Sequence, residues 1–254
     1  MEQRGTEPVG AIQTGFEVIQ ALKELDGGGV TELARHLDVP KSTAHSHLST
    51  LEQLGYVQKN GDTYRLGLRF LDLGGYVREE MELYETGRSE LRELAEQTGD
   101  WANLMTEENG RGVYVAFARG DRAVELDVYP GKRVPLHATA LGKSILAYMP
   151  ESEVRDIIDR HGLASLTDET VTDETALFDR LDLIRERGFA YDRQERLQGL
   201  KCVAAPVIVD NDRVIGAISV SGPTTRMKGD RFEGEIPELV TNAARIIGIN
   251  LTYA

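Results

Sequence analysis

Apolar residues near the N-terminus first repeat at helical spacing and then alternate. Ile12, Phe16, Ile19, Leu22 and Leu25 predict one helix, which Gly27-Gly28-Gly29 stops. Thr31 is expected to cap a short second helix, with Leu33, Ala34 and Leu37 turned inward. "DVP" makes a turn. A third helix follows from Ser42, with Ala44, Leu48, Leu51 and Leu54 on one face and Gly55 at its end. "YVQKNGDTYRL" then reads as a hairpin, with Asn60-Gly61 as a type I′ turn. Three short helices and a hairpin compose a winged helix-turn-helix.

The pattern changes again further on. "GLRFLDLGGYVREEMELYETGRSELRELAEQTG" is amphipathic at helical spacing and broken near Gly74-Gly75. It reads as a linker helix and then the first helix of a second domain. "WANLMTE", "VYVAFAR" and "AVELDVY" are strand-like, with "NGRG" as a hairpin turn. Thr139 to Glu186 is mostly helical, with an acidic outer face. "CVAAPVIV" and "VIGAISVS" are strands joined by "DNDR". Ile236 to Leu251 closes the chain as a helix, with Pro237 in its first turn. The expected organisation is α+β: a DNA-binding domain over residues 9–67, a linker helix over 68–83, and a mixed α/β domain on an antiparallel sheet over 84–254.

Composition sharpens this picture. The 254 residues carry a formal net charge of -13, from 42 acidic and 29 basic residues, and Arg outnumbers Lys by 22 to 7. Acid excess with few lysines suits a salt-rich, halophilic cytoplasm. Yet residues 31–70 hold five basic and four acidic residues, with three of the five histidines. The window that reads as a DNA binder is thus spared the acid that would repel a polyanion. Within it, Ser42, Thr43, His45 and Ser46 open the third helix with side chains short enough to approach base edges, while Lys41, Lys59 and Arg65 reach phosphates. The N-terminus has no apolar signal core and no run is long enough for a membrane span, so a cytoplasmic protein is expected.

The catalytic signatures in the chain are incomplete. "HATALGKS" ends like a phosphate-binding loop, but His137 stands where the first glycine is needed. His45 and His47, two apart on a helix, point to different faces and do not share a metal. Cys202 opens an apolar strand with no acidic orienter nearby in sequence, which favours a packed or pocket-lining thiol over a nucleophile. No base–nucleophile pair emerges, and no enzyme activity, cofactor or metal is expected.

Two stretches carry a family resemblance. "LHATALGKSILAYMP" and "RGFAYDRQERLQGLKCVAAPVIVDNDRVIGAISVSGP" look like the effector domain of the IclR family of transcriptional regulators, and "TELARHLDVPKSTAHSHLSTLEQLGYV" is similar to its winged helix-turn-helix. The resemblance implies a GAF-like effector domain with a six-stranded sheet. It also implies homodimers or dimers of dimers on palindromic operator DNA, and small organic acids or related catabolites as effectors. Members act as repressors or activators of catabolic genes. Carried over, the effector-contacting residues are Ala140, Leu141, Asp192, Cys202, Ser219 and Ser221, with Val134 and Leu200 as apolar walls. Ala140-Leu141 departs from the Gly-Ala pair of some members, which narrows the expected pocket. The residues themselves support one part of this: Ser219 and Ser221 alternate with Ile218 and Val220, so both hydroxyls face one side of a strand. Two rival readings stand beside it, a GAF-like enzyme and a protein-interaction module without DNA binding.

Overall fold

A computed structural model describes residues 9–210 and 213–253. The chain divides into two compact units between Val77 and Arg78.

The first unit is built from α1 (Gly10–Glu24), α2 (Val30–His36), α3 (Lys41–Gln53) and the hairpin β1 (Val57–Asn60) and β2 (Thr63–Leu66). Val18, Leu22, Leu33, Leu48, Val57 and Tyr64 meet in one small core. The predicted inward face of α1 is only half right. Leu22 is buried, but Ile12 and Phe16 are 61% and 66% exposed, and Val18 and Ala21 take the inner positions instead. Leu54, expected inside, is exposed where α3 ends. Thr31 lies within α2, and Gly29 precedes the helix in extended geometry, so no side chain caps it. The hairpin turn falls one residue later than expected. Asn60 pairs with Thr63, leaving Gly61-Asp62 as the loop. Gly61 has φ +60° and Asp62 is not in the positive-φ region, the pattern of a type II′ rather than a type I′ turn.

Leaving the hairpin, α4 (Arg69–Glu79) runs through Gly74 and Gly75 without interruption. Glycine in a helix costs about 1 kcal/mol against alanine, which weakens a helix without breaking it. The break comes at Glu80-Met81, where the chain turns into α5. None of the side chains of α4 is buried.

The second unit comprises α5 (Glu82–Thr98), β3 (Trp101–Glu108), β4 (Arg111–Arg119), β5 (Arg133–Pro135), α6 (Ala140–Leu146), α7 (Glu151–His161), α8 (Glu174–Arg187), β6 (Ala190–Arg193), β7 (Leu200–Val209), β8 (Arg213–Pro223) and α9 (Ile236–Tyr253). Its six strands are antiparallel in the order β5-β4-β3-β8-β7-β6. Alternation along each strand sends one set of side chains, among them Leu104, Val203, Ile218 and Val220, against α5 and α9. The opposite set, with Met105, Tyr114, Cys202 and Ala204, joins Leu141 and Ile145 of α6 in a second core.

Two details differ from the sequence reading. "AVELDVY" is not a strand. Val128 N–H folds back to the Leu126 carbonyl and the Trp101 indole N–H takes the Val124 carbonyl, so the segment has no ladder to join. The short strands β5 and β6 carry too few residues to show alternation. Pro237 stands in the first turn of α9, as expected. A π turn over Arg231–Glu235 precedes it in the same helical run. A proline inside a helix lacks an N–H and crowds the preceding turn, and a π turn supplies the extra width. The "NGRG" turn is as expected: Asn109 and Gly110 have φ +54° and +78°, the signature of type I′.

Candidate functional site

Burial of Ala44 and Leu48 fixes the rotation of α3 and therefore what it shows to solvent. Lys41, Ser42, His45 and Ser46 are exposed and Thr43 is half-buried. His45 lines a surface cleft of about 560 Å³ with Thr31 and Arg35 of α2 and Lys59 and Tyr64 of the hairpin. The start of α3 and the wing thus share one concave face, which Glu32 and Asp62 also border. Lys59 packs its ammonium over the Tyr64 ring at 5.4 Å. Arg65 is exposed but pairs with Gln58 on the other face of the hairpin, so the wing's two cations are not brought together. Arg35 was not singled out from sequence, since nothing there shows that α2 borders the same cleft.

In the second unit the register lines up a polar row across an apolar face. Asp192 of β6 pairs with Cys202 of β7, and Cys202 with Ser221 of β8. One step along, Ala204 pairs with Ser219 and Ser219 with Asn103 of β3. All of these side chains are buried. The sequence-predicted Asp192, Cys202, Ser219 and Ser221 are therefore neighbours. Val134, Ala140 and Leu141 pack in the same apolar cluster as Cys202. Leu200 is buried two residues before Cys202, on the same side of β7.

The serines do not stand free. Asn103 Nδ2 donates to Ser219 Oγ at 3.4 Å and Ser221 Oγ at 3.2 Å. Ser221 Oγ donates to Cys202 Sγ at 3.1 Å. Burial pushes the Cys202 thiol up to about 12, so it stays protonated and serves as an acceptor. Asn103 Oδ1 is buried without a partner. Burial also pushes the Asp192 carboxyl up to about 6, against the Lys143 ammonium that lowers it. Its Oδ1 accepts the Glu195 N–H at 2.7 Å.

The start of α6 was expected to offer amides to an anion. Thr139 caps this helix, and its hydroxyl takes the Gly142 N–H at 2.8 Å. That leaves only the amides of Ala140 and Leu141 from the first turn. Lys143 is not exposed as in a phosphate loop but forms a buried ion pair with Glu195.

Three polar residues beside this row escaped the sequence reading: Asn103, Tyr114 and Arg196. Arg196 Nη1 donates to the Tyr114 hydroxyl at 2.5 Å. Asn103 did leave a trace, as the polar residue between Trp101 and Met105 on an otherwise apolar period. Arg196 sits in a coil, where no period assigns it a face.

A winged helix-turn-helix joined to a mixed α/β unit with a buried polar row defines a class, the DNA-binding transcriptional regulators. Residues 11–61 match the IclR helix-turn-helix domain, and residues 76–249 match the family described as "Bacterial transcriptional regulator IclR C-terminal". The chain belongs to the IclR family. It is 35% identical to "Probable HTH-type transcriptional regulator ArcR" of Halobacterium salinarum, over 96% of this chain and 94% of that one. It is 33% identical to the HTH-type transcriptional regulator KdgR of Escherichia coli, over 97% and 94% of the two chains. The crystal structure of the Thermotoga maritima IclR superposes with a TM-score of 0.79 at 27% identity, covering 96% of this chain and 99% of that one. These families and relatives are transcriptional regulators, not enzymes. Among the described residues no helix is long and apolar enough to cross a membrane.

Proposed function

We propose that this chain is a one-component cytoplasmic regulator that controls a catabolic operon in response to a small organic acid or sugar-derived metabolite. The first unit reads double-stranded operator DNA with Lys41, Ser42, Thr43, His45 and Ser46, while Lys59 and Arg65 neutralise phosphates. The second unit holds the effector at Asp192, Cys202, Ser219 and Ser221, between walls that include Val134, Ala140, Leu141 and Leu200. The observation that carries this reading is the polar row itself. Burying hydroxyls, an amide and a carboxylate on an apolar sheet face costs free energy and adds no packing, which is the composition of a ligand site.

Homodimers, or dimers of dimers, complete the reading. Ile12 and Phe16 on α1 and Leu68, Leu71, Tyr76 and Val77 in and just before α4 are exposed apolar side chains on the DNA-reading unit. Such a surface suits a second copy of the chain. Two α3 helices would then sit about one turn of DNA apart, roughly 34 Å or a multiple. The chain connecting sensor to reader passes through α4, so an effector that favours one conformation acts on DNA affinity through it. The acid-rich, lysine-poor composition and the Halobacterium relative support a salt-rich cell.

The test is an operator-binding assay with the effector supplied. Ser219→Ala with Ser221→Ala should keep effector-free DNA binding and lose the effector response. A folded double mutant with full response would remove the serines from the mechanism.

A further inference from the structure

At β6 the sheet ends, and the chain runs on into the coil that carries Glu195. A cleft of about 310 Å³ lies along this edge, between the second half of α8 and β6. Its lining includes the buried pair Lys143 and Glu195, with Arg180, Arg187, Tyr191 and Arg193 around them. Alternation turns Tyr191 and Arg193 to the opposite side of β6 from Asp192, so these two do not belong to the polar row. Four cations line the cleft against two carboxylates, Glu169 and Glu195, in a chain whose formal net charge is -13.

How these cations are held says more than their number. The Lys143 ammonium has three N–H groups and gives one to Glu195, and no other acceptor among the described residues takes the rest. A buried ammonium with donors left over calls for an acceptor. Arg193 lies 4.5 Å from the Tyr191 ring and 4.9 Å from that of Phe232, and meets no carboxylate among the described residues. Arg187 lies 4.8 Å from the same Tyr191 ring and gives its Nε to the Phe189 carbonyl at 2.6 Å, which leaves both Nη groups. Arg180 does meet a carboxylate, Glu195 at 3.2 Å, but shares it with Lys143. Rings that hold the guanidiniums in place reduce the freedom that binding would otherwise remove.

The arrangement also selects among anions. A carboxylate has two oxygens and one charge, and a single guanidinium satisfies it. A phosphoryl group brings three acceptor oxygens and a charge of about -1.5 to -2 at neutral pH. The cleft offers three guanidiniums and an ammonium, and its two extra positive charges match that anion. It is roomier than a bare ion needs, and Leu183 and Ile184 give it an apolar wall.

We propose that the cleft beside β6 is a second ligand site, which binds a phosphoryl group, as phosphate or as a small phosphate monoester, through Arg187, Arg193 and Lys143. The grip is made by side chains and not by a phosphate loop. It is independent of the effector reading of the polar row.

The experiment is calorimetric titration of the full-length protein at neutral pH and fixed ionic strength. The probes are inorganic phosphate, glycerol 3-phosphate, acetate and glycerol. One or both phosphoryl probes should bind about tenfold or more tightly than acetate, and glycerol should not bind. Arg187→Gln and Arg193→Gln should each weaken that binding about tenfold, as loss of charge-assisted hydrogen bonds requires. Arg193→Lys should recover part of the loss, which a merely misfolded variant would not. Arg213→Gln removes an exposed arginine at the start of β8 and should change nothing. Tighter binding of glycerol 3-phosphate, partly lost in Leu183→Ser, identifies the ligand as an ester, and equal binding of the two probes identifies it as free phosphate. Both outcomes support a phosphoryl site. No binding of either probe, equally tight binding of acetate, or unchanged affinity in both arginine variants would overturn the proposal. An equal loss in Arg213→Gln would also overturn it, by reducing the effect to overall charge. If phosphate fails to bind and Arg187→Gln with Arg193→Gln alters the sedimenting species, the cleft is a contact between copies of the chain and the proposal falls.

Discussion

Lys143 of α6 and Glu195, in the coil after β6, form an ion pair whose two side chains are each 2% exposed. Arg180 reaches the same carboxylate from the surface at 3.2 Å. Two charges taken out of water are held only while both are present. Lys143→Met should therefore destabilise the second unit by about 3–5 kcal/mol, because it strands most of the Glu195 charge. Lys143→Met combined with Glu195→Leu should recover much of that loss. Urea unfolding of the single and double variants measures both, and additive losses would refute the pairing as the cause.

Gly142 is needed for space and not for phosphate binding. A Cβ placed there would lie 2.2 Å from the Leu136 carbonyl oxygen and 2.5 Å from its Cα. These are backbone atoms, which cannot swing aside. Gly142→Ala should cost about 1–3 kcal/mol, the range for overpacking in a close-packed interior. The check is a lowered urea midpoint with an unchanged m-value. A variant as stable as the parent would mean that α6 shifts freely on the sheet.

These two residues show how much the chain declares of itself. The order of helices and strands was legible because burial on one face imposes a period, and the turns at Gly55 and Asn109-Gly110 were legible because positive φ favours few residues. The serines were legible because alternation puts both on one face. What was not legible depends on partners distant in sequence. "GKS" looked like a failed phosphate loop, since nothing near Lys143 reveals Glu195. The exposure of Ile12 and Phe16 was hidden because an apolar stripe has the same period whether it faces a core or a second chain. Asn103 joins the polar row only because strand order sets β3 beside β8, and Arg196 meets Tyr114 through a coil that no period announces.

His45 shares the cleft between α3 and the wing with Lys59, and the two should fail differently. His45→Ala should relax base preference at one operator position, with about 1–3 kcal/mol lost for the cognate base. Lys59→Gln should weaken all sequences alike and lower the salt slope of binding by about one unit. Site selection with each variant, followed by titration at several salt concentrations, separates the two roles. An unchanged preference in His45→Ala would take that residue off the DNA.

Asp192 gives the ligand unit a pH signature whose sign can be worked out. Burial raises its carboxyl from an ordinary 3.8 to about 6, while Lys143 pulls the other way and Glu195 adds to the rise. Below the ordinary value both folded and unfolded chains hold the proton, and the group contributes nothing. Between the two values the folded chain keeps a proton that the unfolded chain has lost, so stability falls as pH rises. Above about 6 the penalty is complete, on the order of 3 kcal/mol for a shift of roughly two units. Cys202 and Tyr114, both raised by burial, stay protonated across this window. Asp192→Asn removes the titration and keeps an oxygen to accept the Glu195 N–H. The stability of this variant relative to the parent should therefore increase from pH 4 to pH 7 and level off beyond. Urea unfolding at one-unit pH intervals reads this difference directly, and a constant offset across the range would show that Asp192 does not carry the strained charge.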